Sequence, residues 1–161
     1  MRTGTVLLVE DNPDDIELTR RAFKQARIAN ELVVVEDGAE ALNFLFGADV
    51  DGGTARFPLP TLTLLDLKLP KVPGLEVLRL IRACDRTRRM PVVILTSSAE
   101  EQDVGAGYDL GVNSYIRKPV DFKQFAEAIQ KLGLYWLVLN QPPPDVERRA
   151  PTDATGEAAW G

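Results

Sequence analysis

The chain has 161 residues, 45% hydrophobic and 27% charged, which fits one globular domain with a short extension. Its net charge is −5, and it has one cysteine and no histidine. These totals exclude Ser-His-Asp and Cys-His catalysis, histidine-ligated zinc and an intrachain disulfide, and they argue against an electrostatic grip on nucleic acid.

The apolar run Thr5–Val9 predicts a buried strand. It runs directly into four carboxylates, Glu10, Asp11, Asp14 and Asp15. Asn12-Pro13-Asp14-Asp15 has the chemistry of a helix start: a capping amide, proline at the first helical position and acids in the first turn. Ile16, Ala22, Phe23 and Ala26 follow at helical spacing. Glu31–Glu36 reads as a second strand and Ala39–Phe46 as a second helix. Gly47–Pro60, rich in Gly, Asp and Pro, reads as a surface loop.

Thr61–Asp66 is a third predicted strand that again ends in a carboxylate. Pro70–Gly74 is a turn, and Leu75–Ala83 is a helix with Leu75, Leu78 and Ile81 as its stripe. Five basic residues fall between Arg79 and Arg89 at irregular spacing, as in a solvated helix end. Pro91–Thr96 predicts a fourth strand. Ser98-Ala99-Glu100-Glu101 fits a capping box that opens a fourth helix, to about Leu110. Asn113–Arg117 is the fifth strand, and Asp121 caps a last helix that extends towards Leu139. Strand and helix thus alternate five times, and the strands are continuous apolar runs. The expectation is an α/β fold: a doubly wound, five-stranded parallel sheet with five helices, over residues 1–140. Residues 141–161 offer little to a core and read as a disordered tail.

No stretch approaches the roughly 18 apolar residues of a membrane span, and the amino-terminal segment lacks the apolar region of a secretory signal. A single cysteine suits a reducing, cytoplasmic setting.

Ligands of doubly wound sheets sit beyond the carboxyl ends of the strands. Those ends carry Glu10 and Asp11, then Asp66, then Thr96 with Ser97, and Lys118-Pro119 follows the last strand. Three close carboxylates repel one another unless a cation joins them. An oxygen-rich, histidine-free set favours a hard ion, Mg²⁺ first. Asp66 can then act as a nucleophile and form an aspartyl phosphate, with Lys118 and Thr96 available to phosphate oxygens. Singly, each piece has a plainer reading. Asp11 and Asn12 can be caps, Lys118-Pro119 a turn, and Tyr115 a strand aromatic.

Together, VLLVEDNPDD, LLDLKLPKVPGLEVL, VVILTSS and SYIRKP resemble the receiver domain of two-component response regulators, from about Thr5 to Leu139. Thirty residues separate Asp66 from Thr96 and 22 separate Thr96 from Lys118, as in that family's pattern. VEDNPDD and the long loop before the third strand are most similar to small regulators paired with phytochrome histidine kinases.

The resemblance implies a flavodoxin-like sheet of strand order 2-1-3-4-5. It implies that Asp66 accepts a phosphoryl group from a partner sensor histidine kinase, here a bacteriophytochrome. It implies Mg²⁺ held by Asp11 and Asp66, with Glu10 acting directly or through water and the Lys68 backbone carbonyl as a further ligand. Lys118 and Thr96 would contact the phosphoryl group. Tyr115 matches an aromatic switch position coupled to Thr96, and Pro119 a cis peptide bond. Glu10 stands where many receivers have Asp.

Two other functions compete with this switch. One is a Mg²⁺-dependent phosphatase with an aspartyl nucleophile. Such enzymes place an acid two residues after the nucleophile, where this chain has Lys68. The other is a non-phosphorylated adaptor of the same fold. With no output domain expected after residue 140, the signal would leave by contact with a downstream protein target that the sequence does not identify, or through a homodimer. Leu134, Tyr135, Trp136, Leu137, Val138 and Leu139 are apolar on every side, so Leu134, Tyr135 and Val138 are expected at a dimer interface.

Overall fold

Apolar runs such as VLLV and VVIL suit a strand covered on both faces, because successive side chains point to opposite sides. In the computed structural model they do so. The structure describes residues 4–47, 59–96, 105, 108–117 and 121–133. The strands are β1 (Thr5–Val9), β2 (Glu31–Val35), β3 (Leu62–Leu65), β4 (Val92–Thr96) and β5 (Ser114–Arg117). Every pairing is parallel, in the order β2-β1-β3-β4-β5. Four helices are complete among the described residues: α1 (Pro13–Gln25), α2 (Gly38–Phe46), α3 (Gly74–Ala83) and α4 (Phe122–Leu132).

The alternation divides the core into two layers. Leu7, Val9, Leu65, Val92 and Ile94 face α2 and α3, meeting Ala41, Leu45, Val77, Leu78 and Ile81. Val6, Leu8, Leu64, Val93 and Leu95 face α1 and α4, meeting Ala22, Phe23, Phe125 and Ile129. Each fully buried Leu, Ile or Phe contributes about 1.5–3 kcal/mol by leaving water. Sheet register and helix placement are therefore coupled, since a one-residue slip would exchange the two layers.

The helix starts follow local chemistry. The Asn12 side chain accepts from the Asp14 and Asp15 amides at 2.8 and 3.3 Å, with Pro13 behind it. Asp37 caps α2 through the Glu40 amide (2.7 Å) and Asp121 caps α4 through the Gln124 amide (2.8 Å). The end of α1 uses an unexpected residue. Arg27 takes a left-handed φ of 58° while its amide donates to Lys24 and that of Ile28 donates to Phe23. This is a Schellman closure, usually made with glycine.

The expected strand order and parallel sheet are present. Four complete helices are described where five were expected. The segment Ser98–Leu110 lies mostly outside the described residues, although Gly105, Tyr108 and Asp109 within it are helical. Residues 134–161, with the expected tail, and most of the Gly47–Pro60 loop also lie outside them. One reading changes. The basic cluster at the end of α3 and just beyond it is not simply a solvated end, because Arg82 is half-buried. Its guanidinium donates to the backbone carbonyls of Leu110, Arg88, Met90 and Gly111 at 2.8–3.1 Å. Burial lowers its pKa from the usual arginine value. Arg86 likewise donates to the Leu45 carbonyl at 2.7 Å.

Candidate functional site

β1 and β3 are neighbours at the centre of the sheet, in register from Val6↔Leu62 to Val9↔Leu65. The residues just past their ends therefore meet. The Asp66 amide donates to the Val9 carbonyl (3.1 Å), and the Glu10 amide donates to the Val35 carbonyl (3.0 Å). Glu10, Asp11 and Asp66 each place a carboxylate oxygen within 4.8 Å of those of the other two. Glu10 is 1% exposed and Asp66 6%, whereas Asp11 is open to solvent. The Asn12 amide donates to Glu10 Oε2 (3.2 Å), so the turn that starts α1 also orients the buried acid.

Asp66 begins a tightly held loop. The Lys68 amide donates to Asp66 Oδ1 at 3.3 Å, and the Gly74 amide donates to the Leu67 carbonyl at 2.9 Å. Between them, Val72 N–H donates to the Pro70 carbonyl (2.8 Å) around Lys71, whose φ is 69°. This γ-turn is of the rare left-handed kind. It is braced from α2: Lys71 Nζ lies 3.6 Å from Asp37 Oδ2, and Gly38 leaves no room for a Cβ against Val72. Gly38, Asp37 and Gly74 had no place in the sequence-derived site. Their only signals were Asp-Gly and Pro-Gly pairs, which mark turns anywhere.

Thr96 ends β4, is 0% exposed, and follows a register that sets Leu65 beside Ile94. It thus lies one strand over from Asp66, at the same sheet edge. Tyr115, in β5, pairs with Ile94 and is half-buried against the α2–α3 layer. Lys118 and Pro119 directly follow β5 and lie outside the described residues, as do Leu134, Tyr135 and Val138. The sheet therefore brings Glu10, Asp11, Asp66 and Thr96 together, and places Tyr115 on the strand next to Thr96.

The donor set is oxygen only, two of its three carboxylates are buried, and one side is open. These features fit a hard divalent cation that keeps waters or takes a phosphate oxygen. The fold is a doubly wound α/β sheet, and the cluster lies at its carboxyl edge, at the switch in strand order where such sheets place their ligands. More narrowly, the chain belongs to the response regulator receiver domain family, whose model matches residues 6–130.

Response regulator Rcp1 of Synechocystis sp. is 40% identical over 132 residues, covering 82% of this chain and 88% of that protein. A Mn²⁺-bound crystal structure of Rcp1 superposes with a TM-score of 0.75 at 37% identity, covering 88% of this chain and 99% of that one. The bacteriophytochrome response regulator RtBRR is 51% identical, with a TM-score of 0.69 over 89% of this chain and 86% of its own. The phosphorylated cyanobacterial phytochrome response regulator RcpA has 35% identity and a TM-score of 0.77, covering 89% of this chain and all of the other. Receiver domains serve two-component signalling, in which they partner with histidine kinases. No described helix is long and apolar enough to cross a membrane.

Proposed function

We propose that this protein is a response regulator whose receiver domain accepts a phosphoryl group on Asp66 from a partner histidine kinase, with Mg²⁺ as cofactor. The observation that carries the proposal is the convergence of Glu10, Asp11 and Asp66 within 4.8 Å at the sheet edge where the buried Thr96 also ends. Asp11 and Asp66 would hold the ion, with Glu10 acting directly or through water and the Lys68 carbonyl completing the protein's share. Once bound, Mg²⁺ neutralises charge on the transferring group.

An Asp66 carboxylate oxygen attacks phosphorus, the P–N bond of the donor phosphohistidine breaks, and the leaving imidazole takes up a proton. The Lys68 amide fixes which Asp66 oxygen stays engaged with the loop, since it already donates to Oδ1. Lys118 supplies a point charge and Thr96 a hydroxyl to the new phosphoryl oxygens. Thr96 then moves, and Tyr115 turns into the space it leaves, which alters the surface presented to partners. Pro119 in cis would aim Lys118. The bacteriophytochrome response regulator RtBRR and the phytochrome response regulator RcpA support a bacteriophytochrome as the kinase. The apolar Leu134, Tyr135 and Val138 support a homodimer. Lys68, two residues after Asp66, opposes a phosphatase, which needs a general acid there.

Incubation with acetyl phosphate and Mg²⁺ tests the proposal. One acid-stable, base-labile phosphoryl group per chain, mapped to Asp66, is expected. Multiple turnover of phosphoesters would favour a phosphatase, and no labelling would favour an adaptor.

A further inference from the structure

Tyr108 is an exposed large apolar side chain, with 53% of its surface open. Its ring nevertheless lies against Tyr115, with centroids 6.4 Å apart and planes tilted by 31°. Both backbones are anchored. Tyr115 is locked into β5 opposite Ile94. The segment after Tyr108 closes through a Gly111 N–H to Tyr108 carbonyl bond (2.9 Å), with Gly111 at φ 74°. Arg82 on α3 then grips the Leu110 and Gly111 carbonyls, each at 2.8 Å. The Asn113 side chain accepts the Val92 amide at 2.8 Å, which ties the same turn to β4. With both backbones held, side-chain rotation is the easy way to part the rings.

Aromatic pairs interact at centroid separations of about 4.5–7 Å. At 6.4 Å the pair is near the outer limit, so an inward turn of Tyr115 by a few ångströms ends the contact. We propose that Tyr108 is a positioning residue for the switch: its ring holds Tyr115 in the half-buried position and so opposes the inward turn. This rests on the Thr96–Tyr115 coupling proposed above. Phosphorylation would have to overcome the contact, and loss of the contact would free the Tyr108 ring for a partner. Removing the ring should raise the inward population of Tyr115 about two- to tenfold, the range that one aromatic pair carries.

The chain has three tyrosines, so protein labelled with 3-fluorotyrosine gives three ¹⁹F resonances, which single Tyr→Phe variants assign. The H₂O/D₂O solvent isotope shift at Tyr115 reports its exposure. A purely covering role for Tyr108 predicts that Tyr108→Ala makes Tyr115 more exposed. The proposal predicts the opposite: Tyr115 becomes less exposed, moving towards the value that wild type reaches with Mg²⁺ and beryllofluoride, a phosphoryl mimic. Tyr108→Phe keeps the ring and should match wild type. A larger or unchanged isotope shift in Tyr108→Ala overturns the proposal, as does Tyr108→Phe behaving like Tyr108→Ala. If beryllofluoride leaves wild-type Tyr115 unmoved while Tyr108→Ala buries it, the phosphoryl-driven switch fails and the hold of Tyr108 on Tyr115 stands.

Discussion

Gly74 lies against the backbone of Asp66 so closely that a Cβ on it would stand 2.6 Å from the Leu67 Cα and 3.0 Å from the Asp66 carbonyl carbon. The first residue of α3 and the central acid of the site are thus packed backbone to backbone.

Neither partner in that contact can swing aside as a flexible side chain would. Gly74→Ala should therefore shift the Asp66 loop, destabilising the protein by about 1–3 kcal/mol. It should also weaken Mg²⁺ binding, although residue 74 is not a ligand. Urea unfolding paired with a Mg²⁺ titration checks both effects. Unchanged values would mean that the loop can relax without disturbing the site.

Asp66→Asn should abolish labelling by acetyl phosphate while keeping the fold, because the amide is nearly isosteric but not nucleophilic. It also removes one of three carboxylates that lie within 4.8 Å of one another. Stability in the absence of divalent ions should rise by about 1 kcal/mol, the scale of repulsion between nearby charges in a wet site. Intact mass and metal-free thermal unfolding measure the two consequences.

Asp11 is the exposed member of the acidic cluster and the easiest to alter without harming the core. Mg²⁺ at 100 times its dissociation constant should stabilise wild type by about 2.7 kcal/mol. Asp11→Ala should lose most of that gain and at least about tenfold in affinity, since a Mg²⁺ site with few protein ligands cannot spare one. Thermal unfolding with Mg²⁺ and with EDTA separates the cases.

Arg82→Lys keeps a cation but loses the guanidinium fork that meets four carbonyls. A cost of about 2–3 kcal/mol in urea unfolding is expected, because an ammonium cannot reach all four oxygens. A near-neutral result would show that water replaces the lost bonds.

Leu134→Glu with Val138→Glu should give a folded monomer that still accepts phosphate at Asp66, if the apolar carboxyl-terminal segment forms a dimer. Sedimentation of wild type at tens of micromolar, well above typical specific dissociation constants, must first show a dimer. A wild-type monomer, both with and without phosphate, rules the interface out.

Much of the fold was legible because its signals are local. Continuous apolar runs bounded by turn residues mark the strands to within a residue or so at each end. Asn12 and Asp121 cap the helices they precede, since capping needs only side chains and amides two or three residues apart. The end of α1 was less legible. Arg27 takes the left-handed place where glycine is expected, beside the Ile28 N–H to Phe23 carbonyl bond and an Ile28 side chain packed against the core. Arg82 was misread for a similar reason. Its partners Leu110 and Gly111 are 28 and 29 residues away.

The amino-acid sequence by itself determined which residues are candidates for the chemistry: carboxylates after the first and third strands, a hydroxyl at the end of the fourth and a lysine after the fifth. With no histidine and one cysteine, histidine-based catalysis, histidine-ligated zinc and an intrachain disulfide were closed to the chain. The tertiary structure decided how Glu10, Asp11, Asp66 and Thr96 are held. Parallel pairing of β1 with β3 turned acids 55 and 56 residues apart in sequence into one cluster. The contacts of Gly74 on Asp66, Gly38 on Val72 and Tyr108 on Tyr115 also arise only in the packed molecule. The physical reason is range. Propensity and capping act within about a helical turn, whereas close backbone approach and ring packing depend on where distant segments come to rest.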